Sequence, residues 1–367
     1  MKKINVSKPT IPIKEMFFEM LMISLSHNYT NNGKKHAALS ERLKNYLNIQ
    51  HVTLFTNGHL ALEAALEMFE HKGGEIITTP FTFSSTTQAI IRKGFYPIFC
   101  DIDRKNFTID PKQIESLITK NTVAILPVHV FGNVCDVEAI EEISKRYNLP
   151  VLYDSAHAFG VKYKSKSISE FGTLNMFSFH ATKVFHTVEG GALTYNNSIF
   201  EARLNALKNF GIDTNGVVSY SGGNAKMNEF QAVVGLSNLK RIEKLILKRK
   251  KITQLYDSLL NGLDGIELYK RSNDVESNYA YYPILVVSEY KTVPGLLEYL
   301  ESNNVYARRY FYPLTSDFPI FKDQFDSNKT PVAKYVSERV LCLPIYDSLK
   351  STEVKYVTSK VKEYMEQ

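Results

Sequence analysis

Cysteine is scarce in this sequence, and the three present, Cys100, Cys135 and Cys342, are far apart and set among apolar residues. An odd number at such spacing fits neither a disulfide framework nor a zinc site, so buried free thiols and no metal are expected. Long apolar runs are missing as well. "TVAILPVHVF" and "MFFEMLMISL" are too short or too interrupted to cross a bilayer, and "MKKINVSKPTIPIKE" has no signal-peptide core or cleavage site. The expectation is a cytoplasmic protein with no membrane association. Repeats, low-complexity tracts and Pro/Gly/Ser-rich linkers are absent too, so the parts of the chain should pack closely and share a site.

An excess of charge of one sign is also lacking. A net +6 over 367 residues is modest and suits an anionic small ligand at least as readily as nucleic acid. No zinc-finger or RNA-recognition motif is present, and no nucleic-acid partner is expected. The densest basic stretch, "LKRIEKLILKRKKITQLY", places Leu239, Ile242, Ile246 and Leu255 near helical spacing, so its cations should form the solvated face of an amphipathic helix.

What is present is an ordinary globular composition, 44% hydrophobic and 22% charged, in a chain long enough to bury a deep site. From about Val52 to Tyr195 short β-rich runs ("VTLF", "EIITT", "YPIFCD", "VAILPVHV", "PVLYD") alternate with helical patterns. Continuous apolar strands separated by amphipathic helices predict a parallel sheet covered on both faces; "NMFSFH" and "GALTY" add strands without long helices between them and make the sheet mixed. Beyond the basic helix the texture becomes loop-rich, then "YAYYPILVV", "VPGLLEYLESNN" and "VYARRYFYPL" suggest a smaller α+β unit. The predicted division is a large domain over 1–247 and a small C-terminal domain over 248–367.

In open α/β sheets, ligands bind beyond the carboxyl ends of the strands, where loops enter helix N-termini. "LFTNGHLALEAAL" puts Asn57, Gly58 and His59 between a strand and a strong helix former, so the backbone N–H groups of Gly58 and His59 offer a phosphate seat, although Asn-Gly before a helix also serves as a turn or cap. "VLYDSAHAFG" places Asp154 directly after an apolar strand, half buried, where its charge needs a cationic partner or where it caps a helix. His157 follows three residues on. "NMFSFHATK" then carries Lys183 off the end of another strand. Most lysines are solvated surface charges. One held in a partly dry pocket has a lowered pKa and becomes a nucleophile toward carbonyl carbons. Phosphate seat, buried carboxylate and imine-forming lysine are the three fixtures that a pyridoxal phosphate enzyme requires, the carboxylate keeping the pyridine nitrogen protonated.

The ordered segments "TNGHLALEAAL", "TPFTFSSTTQAI", "DSAHAFG", "SFHATKVFHTVEGGAL" and "GGNAKMNEFQAVVGL" resemble the DegT/DnrJ/EryC1/StrS family of sugar aminotransferases, over about Pro9 to Tyr346. The resemblance implies fold type I, like aspartate aminotransferase, with pyridoxal 5'-phosphate as cofactor and pyridoxamine phosphate as its aminated form. It implies that Lys183 is the catalytic lysine, that Asp154 pairs with the pyridine N–H, that His157 lies near the ring hydroxyl and that Phe83 stacks on the ring. Gly58, the His59 backbone and Ser178 would hold the phosphate, with Asn57 beside them. Asn224 would reach it from a second subunit, which makes a homodimer with shared sites the expected assembly. The chain makes three departures from the pattern: His59 stands where many members have Thr, His186 replaces an Asn, and Ala225-Lys226 replaces a Tyr-Arg or Tyr-Lys pair. These changes should alter local phosphate and sugar contacts rather than the cofactor.

A dehydratase branch of the family has His where Lys183 stands, so the lysine implies transamination. "SFH" resembles the group that aminates C4 of nucleotide-linked keto sugars, with L-glutamate as donor. The expected substrate is dTDP-4-keto-6-deoxy-D-glucose, and the product dTDP-4-amino-4,6-dideoxy-D-glucose would serve a bacterial surface polysaccharide such as an O-antigen in lipopolysaccharide. A C3 aminotransferase on a 3-keto sugar and a C4 enzyme on a UDP sugar are the alternatives. A non-enzymatic regulator of the same fold would carry a DNA-binding appendage, a membrane segment or a lost lysine, and none is visible. For the substrate's diphosphate, "VYARRYFYPL" offers Arg308 and Arg309 beside Tyr310 and Tyr312; adjacent residues in a strand face opposite sides, so one arginine enters a given pocket.

Overall fold

The computed structural model describes residues 3–25, 31–69, 73–321 and 324–367. Its largest feature is built from two sets of strands. Tyr96–Phe99, Glu75–Thr78 and Thr122–Ile125 form a parallel three-stranded sheet, and His51–Phe55, Gly191–Tyr195, Leu174–Ser178 and Leu152–Asp154 form a four-stranded one. Parallel bridges from Ile125 to Val151 and from Val128 to Asp154 join them edge to edge. Gly191–Tyr195 alone runs against its neighbours, pairing antiparallel with both His51–Phe55 and Leu174–Ser178. The predicted mixed, mostly parallel sheet is therefore present.

Successive strand residues enter opposite cores, as a two-residue period requires. Ile76, Leu152, Met176 and Phe55 pack in one cluster; Ile77, Tyr153, Phe177 and Leu54 pack in the other. Both faces are thus covered by helices, and this burial is why these strands read as unbroken apolar runs. Helix ends follow local chemistry. Asn57 caps Gly58–Leu66 by accepting from Leu60 N–H at 2.9 Å, and Asp136 caps Val137–Tyr147 by accepting from Ala139 N–H at 3.1 Å.

Ile266–Leu268, Tyr282–Val286 and Val340–Leu343 make a separate antiparallel sheet, packed with the helices Ile242–Leu260, Val293–Ser302 and Ser351–Glu366 around Ile252, Tyr256, Ile284 and Leu341. Ile4 joins that core through a bridge to Val305. The helix Ile242–Leu260 runs without interruption through residue 248.

Two details differ from the sequence reading. The basic stretch is helical, but the chain turns at Lys240-Arg241 and the buried stripe is Ile242, Leu245, Arg249, Ile252 and Tyr256, with Leu239, Ile246 and Leu255 only half-buried. Arg249 is inside rather than solvated, donating to Ile345 O at 3.3 Å and Ala280 O at 3.4 Å. The segment around Arg308 is not a regular strand; it holds isolated bridges at Val305 and Arg308. All three cysteines are free and buried.

Candidate active site

The carboxyl ends of His51–Phe55, Leu152–Asp154 and Leu174–Ser178 open on one cavity of about 670 Å³. Sequence-distant residues meet there: Asn57, Gly58, His59, Phe83, Asp154 and His157 border it, as do Ser178, Lys183, Arg308 and Tyr310.

Asp154 ends its strand as expected and is 5% exposed. It caps no helix. Its Oδ2 accepts from Thr86 Oγ1 at 2.8 Å and its Oδ1 from Ala156 N–H at 3.1 Å. Burial raises its pKa; the two hydrogen bonds and the charge of Lys183 oppose that shift. Among the described residues no cation lies within ion-pair distance of it. A buried carboxylate held by neutral donors has the character required to face a protonated ring nitrogen.

Lys183 is half-buried on the cavity wall, its Nζ donating to Tyr281 Oη at 3.4 Å. Burial pushes the amine down to about 8, with Asp154 pulling the other way. About a tenth is then uncharged and nucleophilic at pH 7, far more than for a solvated lysine. His157 accepts from Phe131 N–H through Nδ1 at 3.0 Å, which leaves the proton of the neutral ring on Nε2. Burial first, and the charge of Lys183 second, hold it well below the usual imidazole range.

Gly58 opens a nine-residue helix whose N-terminus meets the end of the Leu174–Ser178 strand. A Cβ at position 58 would lie 2.9 Å from Ser178 Cβ, and one at Gly191 would lie 2.6 Å from the Asn57 carbonyl. Both glycines are needed for this close approach. Helix N–H groups beside the Ser178 hydroxyl suit a phosphate. Phe83, 56% exposed, stands at the start of the Ser84–Arg92 helix on the cavity wall, 6.3 Å from the Phe311 ring. Carboxylate, lysine, aromatic wall and helix end together fit pyridoxal phosphate.

The two arginines separate. Arg308 borders the cavity, with Nη1 3.4 Å from Tyr310 Oη. Arg309 turns away, stacking on Tyr312 at 3.4 Å and donating to Glu338 O at 3.2 Å. Arg309 and Tyr312 do not border the cavity. Nor does Asn224, which lies at a second cavity of about 210 Å³ beside Lys208 and Glu63. His186 is buried elsewhere, with Nε2 3.3 Å from Thr10 O, and Lys226 donates to Asn209 Oδ1 at 2.7 Å.

Sequence reasoning missed Thr86, Tyr281, Phe311 and Ser85. Only "FTFSSTTQ", polar where a helix opens after a strand, carried a signal for the two hydroxyl residues.

A lysine a few residues past one strand end, sharing a cavity with a buried strand-end carboxylate on a mostly parallel sheet, defines a fold type I aminotransferase. The chain belongs to the DegT/DnrJ/EryC1/StrS aminotransferase family, whose pattern matches residues 12–362. It is 39% identical over 364 residues to a dTDP-4-amino-4,6-dideoxy-D-glucose transaminase of Shigella dysenteriae, covering 99% of each chain. Among solved structures it is similar to Helicobacter pylori PseC, an aminotransferase of pseudaminic acid biosynthesis, with a TM-score of 0.92, 27% identity and full coverage of both chains. It is also similar to Spr1654 of Streptococcus pneumoniae in its PLP form, with a TM-score of 0.91 and 26% identity over 99% of each chain.

Proposed function

We propose that this aminotransferase uses pyridoxal phosphate to move an amino group from L-glutamate to C4 of a nucleotide-linked 4-keto-6-deoxy sugar. The substrate named by the reading is dTDP-4-keto-6-deoxy-D-glucose and the product dTDP-4-amino-4,6-dideoxy-D-glucose, used in surface polysaccharide. The observation that carries it is Lys183 and Asp154 facing one cavity, in a chain whose length matches a relative that bears this activity in its name.

When bound, the cofactor supplies an electron sink. The chain supplies the rest. Lys183 Nζ, uncharged in part near neutrality, would hold the cofactor and, once displaced, carry protons to and from the reacting carbon. Positioned proton transfer of this kind is worth roughly 10²- to 10⁴-fold in rate. Asp154 would keep the ring nitrogen protonated, His157 would address the ring hydroxyl and Phe83 would cover the ring. Gly58, the His59 backbone, Ser178 and Asn57 would form the phosphate end. Arg308, with Tyr310, would meet the substrate's diphosphate, whereas Arg309 and Tyr312 would shape the loop behind them.

The assembly in this reading is a homodimer in the cytoplasm. Asn224 lies outside its own chain's cavity, consistent with a role in a partner's site, and Phe17, Phe18, Val217 and Val218 are exposed apolar side chains that a second copy would cover. Among the described residues no helix is long and apolar enough to cross a membrane. The division near residue 248 is part of the same reading, with the antiparallel sheet and its own core as support.

The test is the visible spectrum of the protein with pyridoxal phosphate. The reading expects L-glutamate to bleach the band of lysine-bound cofactor and dTDP-4-keto-6-deoxy-D-glucose to restore it, with NMR placing the new amine on C4. A band that bleaches but does not return with this sugar would reject the substrate and retain the cofactor chemistry.

A further inference from the structure

Two helices begin at the phosphate end of the cavity, Gly58–Leu66 and Ser84–Arg92, and the second starts without a side-chain cap. One side chain ties them together. His59 Nδ1 lies 2.8 Å from Ser85 Oγ on the neighbouring helix, while His59 Nε2 lies 3.2 Å from Glu63 Oε1 one turn along its own. Glu63 is itself buried and clamped from the Ser84–Arg92 helix by Arg92 Nε at 2.5 Å. Ser85 and His59 both border the cavity; Arg92 approaches Glu63 from outside it. The other charged side chains bordering the cavity are Asp154, Lys183, Glu189 and Arg308, with His157 and His180.

Glu63 holds the other side of the ring, its carboxylate 3.2 Å from His59 Nε2 and within ion-pair distance. His59 Nδ1 then has two states: a lone pair that takes the Ser85 hydroxyl proton, or an N–H that donates to Ser85 Oγ and leaves that proton free. Only the second state presents a donor to an anion. An anion arriving between two positive helix ends favours it, because the freed Ser85 hydroxyl proton is then available to the anion.

We propose that the Ser85 hydroxyl is a phosphate donor for the cofactor, aligned by a His59 ring that is anchored on Glu63. Ser85 touches the phosphate, and His59 acts through it as a positioning residue. The inference rests on the pyridoxal phosphate reading above and adds to it a side-chain contact that neither the helix backbone nor Ser178 supplies.

The experiment is equilibrium binding of pyridoxal phosphate, and of pyridoxal without the phosphate, to the full chain as wild type, S85A, H59A and the double variant, read from the visible band. S85A and H59A should each weaken pyridoxal phosphate about 10-fold, the loss of one hydrogen bond to a charged group. The double variant should be no weaker than either, because Ser85 without His59 is already misaligned. Pyridoxal affinity should stay at the wild-type value in all four. S85A binding pyridoxal phosphate like wild type, or losing both ligands equally, overturns the proposal while the cofactor reading stands. A wild-type protein that develops no band with pyridoxal phosphate overturns both.

Discussion

The Thr86 hydroxyl donates to Asp154 Oδ2 at 2.8 Å across 68 residues of sequence, and Thr82 Oγ1 lies 2.8 Å behind it. This hydroxyl pair, from the opening of one helix, holds the carboxylate that ends a strand distant in sequence. Removing it leaves a buried charge with the Ala156 N–H as its remaining hydrogen-bond partner. A Thr86→Val protein should lose about 1–3 kcal/mol of stability and bind cofactor more weakly, since Asp154 then becomes easier to protonate. Urea midpoints and a cofactor titration check both; an unchanged titration would separate Thr86 from the site.

Lys183→Ala should retain pyridoxal phosphate in the cavity through the phosphate seat and Asp154 but lose turnover by at least about 10³-fold, near the upper range for positioned proton transfer together with loss of covalent attachment. Equilibrium dialysis against a coupled assay measures the two. Full activity in the variant would remove Lys183 from the mechanism.

Burial holds the Lys183 amine at about 8, below its usual 10.5. Below pH 8 the folded, cofactor-free protein carries a proton on a poorly solvated amine. Between about 8 and 10.5 the folded amine is neutral while the unfolded one is still charged, so the unfolded state binds more protons and stability rises with pH in that window. Lys183→Met should abolish this rise, which has a slope of at most about 1.4 kcal/mol per pH unit. Comparing urea midpoints of wild type and variant at pH 7.5 and 10 isolates the group, because every other titration is common to both. Identical differences at the two pH values would show that the amine is not desolvated.

Gly58→Ala places a Cβ 2.9 Å from Ser178 Cβ. The helix and strand must part by a few tenths of an ångström, an overpacking cost of about 1–3 kcal/mol. Thermal melting should show the loss, and cofactor should dissociate faster because the phosphate seat is displaced.

Arg308→Ala should raise KM for the sugar nucleotide about 10-fold with little change in melting temperature, since one charged hydrogen bond to ligand is lost. Arg309→Ala should do the reverse, giving up its stacking on Tyr312 and its bond to Glu338 O while KM stays put. Steady-state kinetics and melting on both variants decide between them.

The sequence by itself determined the mixed, mostly parallel sheet, the strand-end position of Asp154, and the place of Lys183 and Gly58 just past such ends. Each follows from short-range periodicity: apolar runs stop where the chain leaves the sheet, and polar or glycine residues stand at the next step. Tertiary structure alone decided the partners. Thr86 meets Asp154 and Tyr281 meets Lys183 across 68 and 98 residues, separations over which no local pattern constrains geometry. It also decided which arginine enters the cavity and put Arg249 inside a helix whose basic spacing reads as solvated, because burial depends on which neighbouring element covers a face. The residue types that chemistry demands are written along the chain, but their distances, shielding and pKa values arise only when distant segments exclude water from between them.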